Sequence, residues 1–549
     1  MTLLPIGLGT IAVFLAGYFL YSRLVARHLG LDPARTTPAH AQSDGRDFVP
    51  AKAPLLFAQH FSAISAAGPI AGPILAAVAY GWLPALAWIL LGCVFIGASH
   101  DFAVLVASVR HRGLSVGEIL RERLGRRATA LYLSFVWIAL VYVTVAFSDL
   151  TAGAFMQESS GGAVASSSAM YLGLAVALGF AFQRWKAGLV PATLVTVPLL
   201  VAVIWFGRAL PFRLPEALAF GHPHLVWNCI ILGYCFVAAL LPMQFLMQPR
   251  GYLGGFLLYG FLASGVVGLL FGGLPVRYPA FVAWEKASGE GLFPFLFVTI
   301  ACGACSGFHG LVCSGTTSRQ LDRETDAPAV GYGAMLMEGL IAVISLACVM
   351  MLAPGDAALG GKINVDRLFA SGISRFTAVL GVPAEFGFAF GVLALTTFIY
   401  DTLDVCTRLG RYILEELFGL KGFRGRVAAT LLTLAPALAF LAVAGQGAFL
   451  RVWAAFGTSN QLLAGLTLLG VAVWLKAEGR RTWFVLVPAV FLLGMTGWSL
   501  VWSVLHWSTN PLIGGISAVL LALAAALTVE CVLGYRRVRP AAPAGTLGA

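Results

Sequence analysis

The sequence predicts an all-α integral membrane protein of about fifteen transmembrane helices built round a five-plus-five inverted-repeat core. Three observations predict it. The 549 residues are 59% hydrophobic and only 11% charged, with a mean hydropathy of +0.88, whereas a soluble domain carries about 25% charged residues. Apolar runs of crossing length recur along the whole chain. Two of these runs, at the start of successive five-span sets, are interrupted by proline and polar residues.

The apolar segments lie at 5–22, 57–79, 84–109, 129–149, 169–183, 188–206, 225–246, 252–273, 293–315, 331–353, 385–407, 427–444, 452–474, 483–504 and 514–535. Each approaches the roughly 20 residues that one bilayer crossing needs. The first has no basic stretch before it and no small-residue cleavage site after it, so it reads as a retained span. Basic residues test the count, because a missed span would flip every later loop. With 23–56 cytoplasmic, the outer loops hold only Arg208, Arg213, Arg277, Lys286, Lys362, Arg367, Arg375 and Arg451 of the 35 Lys and Arg. This predicts an inner-membrane protein with a periplasmic N-terminus, a cytoplasmic C-terminus and a disordered tail over 536–549.

The formal charge of +11 follows from these loop clusters and indicates no nucleic-acid partner. Lipid and a small-molecule solute are the partners expected; the oligomeric state is left open. The nine cysteines fall in apolar segments, so no disulfides are expected. No loop has room for a soluble catalytic domain, and no enzyme activity is expected.

Three spans carry signals that a lipid-facing helix avoids. In 59–73, Gly68-Pro69 and Gly72-Pro73 remove backbone donors and disfavour helix before each proline. Non-helical backbone at membrane depth persists only where it faces protein or a water-filled cavity, and transporters use such half-helices to hold solute and coupling ion. The bland alternative is a proline kink with glycines for close packing. In 240–250, Pro242, Gln244 and Gln248 interrupt the inner half of a span, or the helix simply ends near Pro249. In 301–317, small and polar residues surround His309, and as one helix they would place Cys302, Cys305, His309, Cys313 and Thr316 on one stripe. Such a stripe packs helices closely; one helix alone cannot wrap a metal ion, and no metal or other cofactor is expected.

Setting the first span aside, the next ten divide into 57–206 and 225–407, and an odd number of spans per set inverts one against the other. Segment 1–56 precedes them, and 408–535 supplies a cytoplasmic stretch and four accessory helices. The paired interruptions at 57–79 and 225–246 then mark a central site. Ionisable residues at bilayer depth mark solute or ion paths: His60, His100, Asp101, His309, Glu338 and Asp401. Histidine can carry a coupling proton near neutral pH. Asp404 reads as an interfacial cap neutralised by Arg408 and Arg411.

The stretch Gln59-His60-Phe61 through Ile64, Gly68-Pro69 and Gly72-Pro73, followed by His100-Asp101-Phe102 and by Arg110, Gly113, Ser115, Gly117 and Glu118, resembles the carbon-starvation (CstA-type) transporter family. So do Gln248-Pro249-Arg250, Ser306 to Thr317, and Phe456 to Ala464. The resemblance runs from the first span to about residue 505. It implies a secondary transporter of the amino acid–polyamine–organocation superfamily with a LeuT-like core, importing pyruvate or small peptides in nutrient limitation. On this resemblance Gln59, His60, Ser65, Ala66, Gly68, Pro69, Ala71, Gly72, Gln244, Gln248, Ser306, Phe308 and His309 would meet the solute. Coupling would fall to His100, Asp101, His309, Ser314, Thr316, Thr317 and Glu338, with a proton expected and sodium the alternative. Asp401 departs from the family pattern, so its role is not carried over. A channel, a starvation sensor and an intramembrane enzyme are the competing classes; accumulation against a gradient separates them from a transporter.

Overall fold

The computed structural model describes residues 1–538 apart from 45–47, 66, 159, 187, 243, 244, 361, 362 and 510. Ala66, Gln244 and the tail beyond residue 538 therefore lie outside the described residues. The helices are α1 (Leu4–Leu29), α2 (Ala53–Ile64), α3 (Gly68–Tyr80), α4 (Trp82–Arg110), α5 (Arg126–Phe155), α6 (Gly161–Arg184), α7 (Leu189–Ala209), α8 (Pro223–Leu240) and α9 (Met247–Phe271). There follow α10 (Leu292–Thr299), α11 (Gly307–Val312), α12 (Glu324–Met350), α13 (Val365–Ala378), α14 (Ala384–Phe418), α15 (Gly422–Ala444), α16 (Ala448–Ala477), α17 (Trp483–Leu505) and α18 (Pro511–Arg537). Short helices and turns connect them.

Among the described residues, 13 helices are long and apolar enough to cross a membrane, or 14 if α2 and α3, bent by 50°, count as one span. The expected fifteenth, 293–315, is not a crossing helix. It breaks into α10, a non-helical stretch over 300–306, and α11 running into the wider turn Cys313–Thr317. The supposed stripe of Cys302, Cys305, His309, Cys313 and Thr316 therefore does not exist as one helical face. Nor is 225–246 an interrupted span. α8 ends at Leu240 and α9 starts at Met247, so the proline there ends a helix. Of the predicted pair, the first interruption is the one the structure keeps; the second lies at 292–317.

Backbone hydrogen-bond demand explains how the break at 300–306 persists. A carbonyl freed in an apolar interior must find a donor. Trp88 Nε1 on α4 donates to Ile300 O and Trp453 Nε1 on α16 to Thr299 O, both at 3.1 Å. Gln461 Nε2 donates to Phe297 O at 2.9 Å, and Cys93 Sγ reaches Gly303 O at 3.1 Å. Asn460 Oδ1 accepts from Phe308 N at 3.0 Å and so caps the start of α11. These donors come from α4 and α16, which hold the break between them. The apolar stretch of α16 is entirely buried.

Loops that the basic-residue pattern puts on one side touch one another. On one face Leu3 N bonds Leu274 O at 2.9 Å, Arg277 N bonds Met350 O at 2.8 Å, and Gln157 Nε2 bonds Asn364 Oδ1 at 3.3 Å. On the other, Ala51 N bonds Gln320 O at 2.9 Å, His40 Nε2 lies 2.7 Å from Asp322 Oδ1, and Lys476 Nζ bonds Tyr535 O at 2.6 Å.

Candidate functional site

Each of three elements that meet at the centre carries a wide, π-type turn beside its ionisable residue. Such turns widen a helix by one residue and recur at functional sites. α4 has one at Gly92–Gly97, just before His100 and Asp101. α12 has one at Pro328–Gly333, before Glu338. The third, Cys313–Thr317, follows His309.

His309 stands between two carboxylates. Its Nδ1 is 2.9 Å from Asp101 Oδ2 and its Nε2 is 3.0 Å from Glu338 Oε2. The second Asp101 oxygen faces His100 Nδ1 at 2.8 Å. All four side chains are at most 1% exposed. A neutral imidazole has one N–H and can donate to only one side. Nδ1 is hydrogen-bonded to Asp101, while Glu338 Oε2 approaches Nε2 without a hydrogen bond; two carboxylates that close to the two nitrogens of one ring require either an imidazolium or a protonated carboxyl. In both forms the Asp101–His309–Glu338 unit holds one negative charge and has a place for one more proton. Both Glu338 carboxylate oxygens and His100 Nε2 are buried without a hydrogen-bond partner.

His60, in the last turn of α2, points its Nδ1 at Thr317 Oγ1, 2.8 Å away, and its Nε2 lies 3.9 Å from Cys313 Sγ. Ser65 ends α2 with a buried, unpartnered hydroxyl. Gln59 is exposed on the same helix. The expected solute residues Gly68, Pro69, Ala71 and Gly72 are helical and buried in α3, not unwound. A Cβ on Gly68 would collide with Cys302, and one on Gly72 would come within 2.6 Å of Thr299 O. Their smallness lets α3 lie directly on the 299–303 backbone, the close-packing alternative. Ser306 is joined to Asn460, whose Nδ2 donates to Ser306 Oγ at 3.1 Å and reaches Cys302 Sγ at 3.2 Å.

Each of the hydroxyls expected to hold sodium has a hydrogen-bond partner. Ser314 Oγ donates to Gly310 O at 2.7 Å, Thr316 Oγ1 to Val312 O at 3.1 Å, and Thr317 meets His60. Gln248 is exposed on α9, away from this cluster. Asp404 is not a cap for Arg408 and Arg411. Arg250, 2% exposed, pairs with it and with Asp401 Oδ1 at 2.6 Å. Arg408 instead bonds the carbonyls of Ala238 and Leu241, each at 2.8 Å, at the end of α8.

Beside Phe308 and Asn460, between α5 and α16, is a 10 Å³ cavity lined by Val136, Leu140 and Phe456. That is room for about one water, so this part of the site is closed. An open cleft of 720 Å³ lies between α6, α7, α13 and α14, on the face of loops 150–168 and 354–384. Arg208, Arg213 and Arg375 line it with Glu158 and Glu385.

Residue-pattern reasoning found His60, His100, Asp101, His309 and Glu338. It missed Trp88, Trp453, Asn460 and Arg250 as structural partners of the site. Arg250 and Asn460 stood inside motifs already singled out, but the carboxylate that Arg250 pairs with and the backbone N–H that Asn460 caps lie more than 150 residues away.

Residues 4–366 and 355–499 match the family model described as Carbon starvation protein CstA. The chain is 33% identical to the "Peptide transporter CstA" of Helicobacter pylori, over 92% of this chain and 83% of that one. It is also 33% identical to the "Pyruvate/proton symporter BtsT" of Escherichia coli, over 92% and 82%. To the "Peptide transporter CstA" of the same bacterium the identity is 32%, over 90% and 80%. The packed, many-helix membrane fold and this match along nearly the whole length agree, and the chain belongs to the carbon starvation protein CstA family.

Proposed function

We propose that this chain is a secondary transporter that imports pyruvate or a short peptide together with protons, and that His309 between Asp101 and Glu338 carries the coupling proton. The observation that supports it is the count of protons at His309: two carboxylates face the two ring nitrogens, and the unit has room for one proton more. Relatives named as peptide transporters and as a pyruvate/proton symporter support the solute class and the coupling.

The arrangement suits alternating access. α10, α11, α2 and α3 are short, interrupted elements that can tilt about their breaks while α5, α12 and α16 stay whole. Tilting would expose His309 first to one side and then to the other, and the exchange of proton partners between Asp101 and Glu338 would follow. The basic-residue bias places loops 150–168 and 354–384 in the periplasm, where the arginine-lined cleft would gather an anionic solute.

The experiment is reconstitution in liposomes with an imposed proton gradient and labelled pyruvate or dipeptide. The wild type should accumulate solute. His309→Gln should lose accumulation yet keep solute exchange at equal pH. Gradient-driven accumulation by His309→Gln with an unchanged pH profile would remove His309 from coupling.

A further inference from the structure

A second buried titratable cluster lies on the face of loops 150–168 and 354–384, and the central site makes no use of it. His224 opens α8, and its Nε2 lies 2.7 Å from Asp149 Oδ1 on α5. Asp149 Oδ2 accepts the N–H of Phe449 at 2.7 Å, at the start of α16. One turn along α8, Asn228 Nδ2 donates to His224 O at 3.1 Å, and its Oδ1 is left buried without a partner. Asp366, in the first turn of α13, also has a buried, unpartnered Oδ1. The bond from Gln157 to Asn364 ties the start of α13 to the end of α5. Exposures are 4% for Asp149, 8% for His224, 0% for Asn228 and 3% for Asp366.

Among the described residues neither carboxylate is paired with Lys or Arg. The charged groups on the surrounding helices have other partners. Arg451 bonds Ala444 O, Arg375 bonds Met351 O, and Glu385 pairs with Arg208. Deeper on α9 and α14, Arg250 holds Asp401 and Asp404; Glu338 on α12 faces His309; Arg127 of α5 faces Glu530. His222 precedes α8, and Arg367 follows Asp366 on the exposed side. Two buried carboxylates whose only nearby base is one imidazole are costly unless they share protons. No group of three or more His, Cys, Asp or Glu is arranged to hold a metal ion among the described residues.

We propose that Asp149, His224 and Asp366 form a second proton-binding site, which takes up the transported proton from the periplasmic side before it passes to His309. The proposal rests on the proton-coupled reading above. α16 joins the two sites. Phe449 bonds Asp149 at one end, and 11 residues on, Asn460 bonds Ser306 and Phe308 beside His309. At 1.5 Å per residue they are about 16 Å apart along the axis, a distance that water would bridge when the site opens. Burial and the neighbouring Asp149 carboxylate push Asp366 up to about 7, within reach of proton exchange with the periplasm.

The test uses the full chain in proteoliposomes with a uniform orientation, outer pH varied at fixed inner pH, and labelled pyruvate or dipeptide as the solute. Asp149→Asn, His224→Gln and Asp366→Asn should lose the stimulation of uptake by outer acid. They should keep solute exchange at equal pH, which shows that they fold. Asp149 also anchors α16, so should its variant lose exchange, Asp366→Asn decides. Wild-type acid stimulation in Asp366→Asn and His224→Gln, while His309→Gln lacks it, overturns this inference alone. A wild type indifferent to the gradient would overturn the central reading as well.

Discussion

Removing the Arg250 guanidinium is the severest single perturbation that the structure defines outside the central site. Arg250 sits near the start of α9 and is 2% exposed. Nε meets Asp401 Oδ1 at 2.6 Å, Nη1 meets Asp404 Oδ2 and, at 2.5 Å, the Tyr234 hydroxyl, and Nη2 donates to Tyr400 O at 3.2 Å. One cation thus ties α8, α9 and α14 together and neutralises one of two neighbouring carboxylates. Arg250→Met keeps most of the volume but leaves Asp404, wholly buried, with only the Tyr234 hydroxyl, at 2.8 Å. Breaking a buried pair by deleting one partner costs about 3–5 kcal/mol, because a charge stays behind without compensation. Arg250→Lys should recover only part of this, since an ammonium cannot fork between two carboxylates. The triple variant Arg250→Met, Asp401→Asn, Asp404→Asn carries no stranded charge and should regain most of the loss. The assay is thermal unfolding of the detergent-solubilised protein, followed by loss of the monodisperse peak on size exclusion. Arg250→Met with wild-type stability, or a triple variant no better than the single one, would refute the charge argument.

The remaining predictions concern packing, pH and topology. Gly68→Ala should lose uptake and regain it with Cys302→Gly, because its Cβ would collide with that side chain; Gly72→Ala meets the backbone oxygen of Thr299 and has no side-chain remedy. Uptake by Gly72→Ala at the wild-type rate would exclude that close contact. Asp366 stands at about 7 in the fold against an ordinary 3.8. Its neutral form is favoured on folding, so its contribution is greatest below about pH 4 and is lost as pH rises towards 7, at most about 1.4 kcal/mol per unit of displacement. Asp366→Asn should therefore flatten the fall in thermal stability between pH 4 and 7, and an unaltered profile would show that Asp366 is solvated. Single cysteines at the exposed positions Glu158, Arg367 and Leu380 should react with an external impermeant thiol reagent, while one at Arg112, exposed on the other face, should not. Labelling at Arg112 in intact cells would reverse the assigned orientation.

The sequence by itself determined the class, the near-total burial in lipid and protein, and the grouping of loops on two faces. Hydropathy and charge placement are local properties, and a bilayer leaves a helical chain few alternatives. It also exposed the ionisable residues, because an Asp, Glu or His within an apolar run stands out wherever it folds. Tertiary structure alone decided which of them meet. His309 lies more than 200 residues from Asp101, and nothing along the chain says that Asp101 and Glu338 would take opposite sides of one ring. It also decided where the second break falls. Pro242 looked like an interruption and proved to be a helix end, whereas 300–306 has no proline and is held open by Trp88, Trp453, Gln461 and Cys93. A break whose carbonyls are satisfied by side chains on other helices leaves no local signature, since the cost of unwinding is offset by donors distant in sequence. The same holds for Asp404. Arg408 and Arg411 were its nearest cations along the helix, but Arg250 reached it first, through packing that brings α9 against α14.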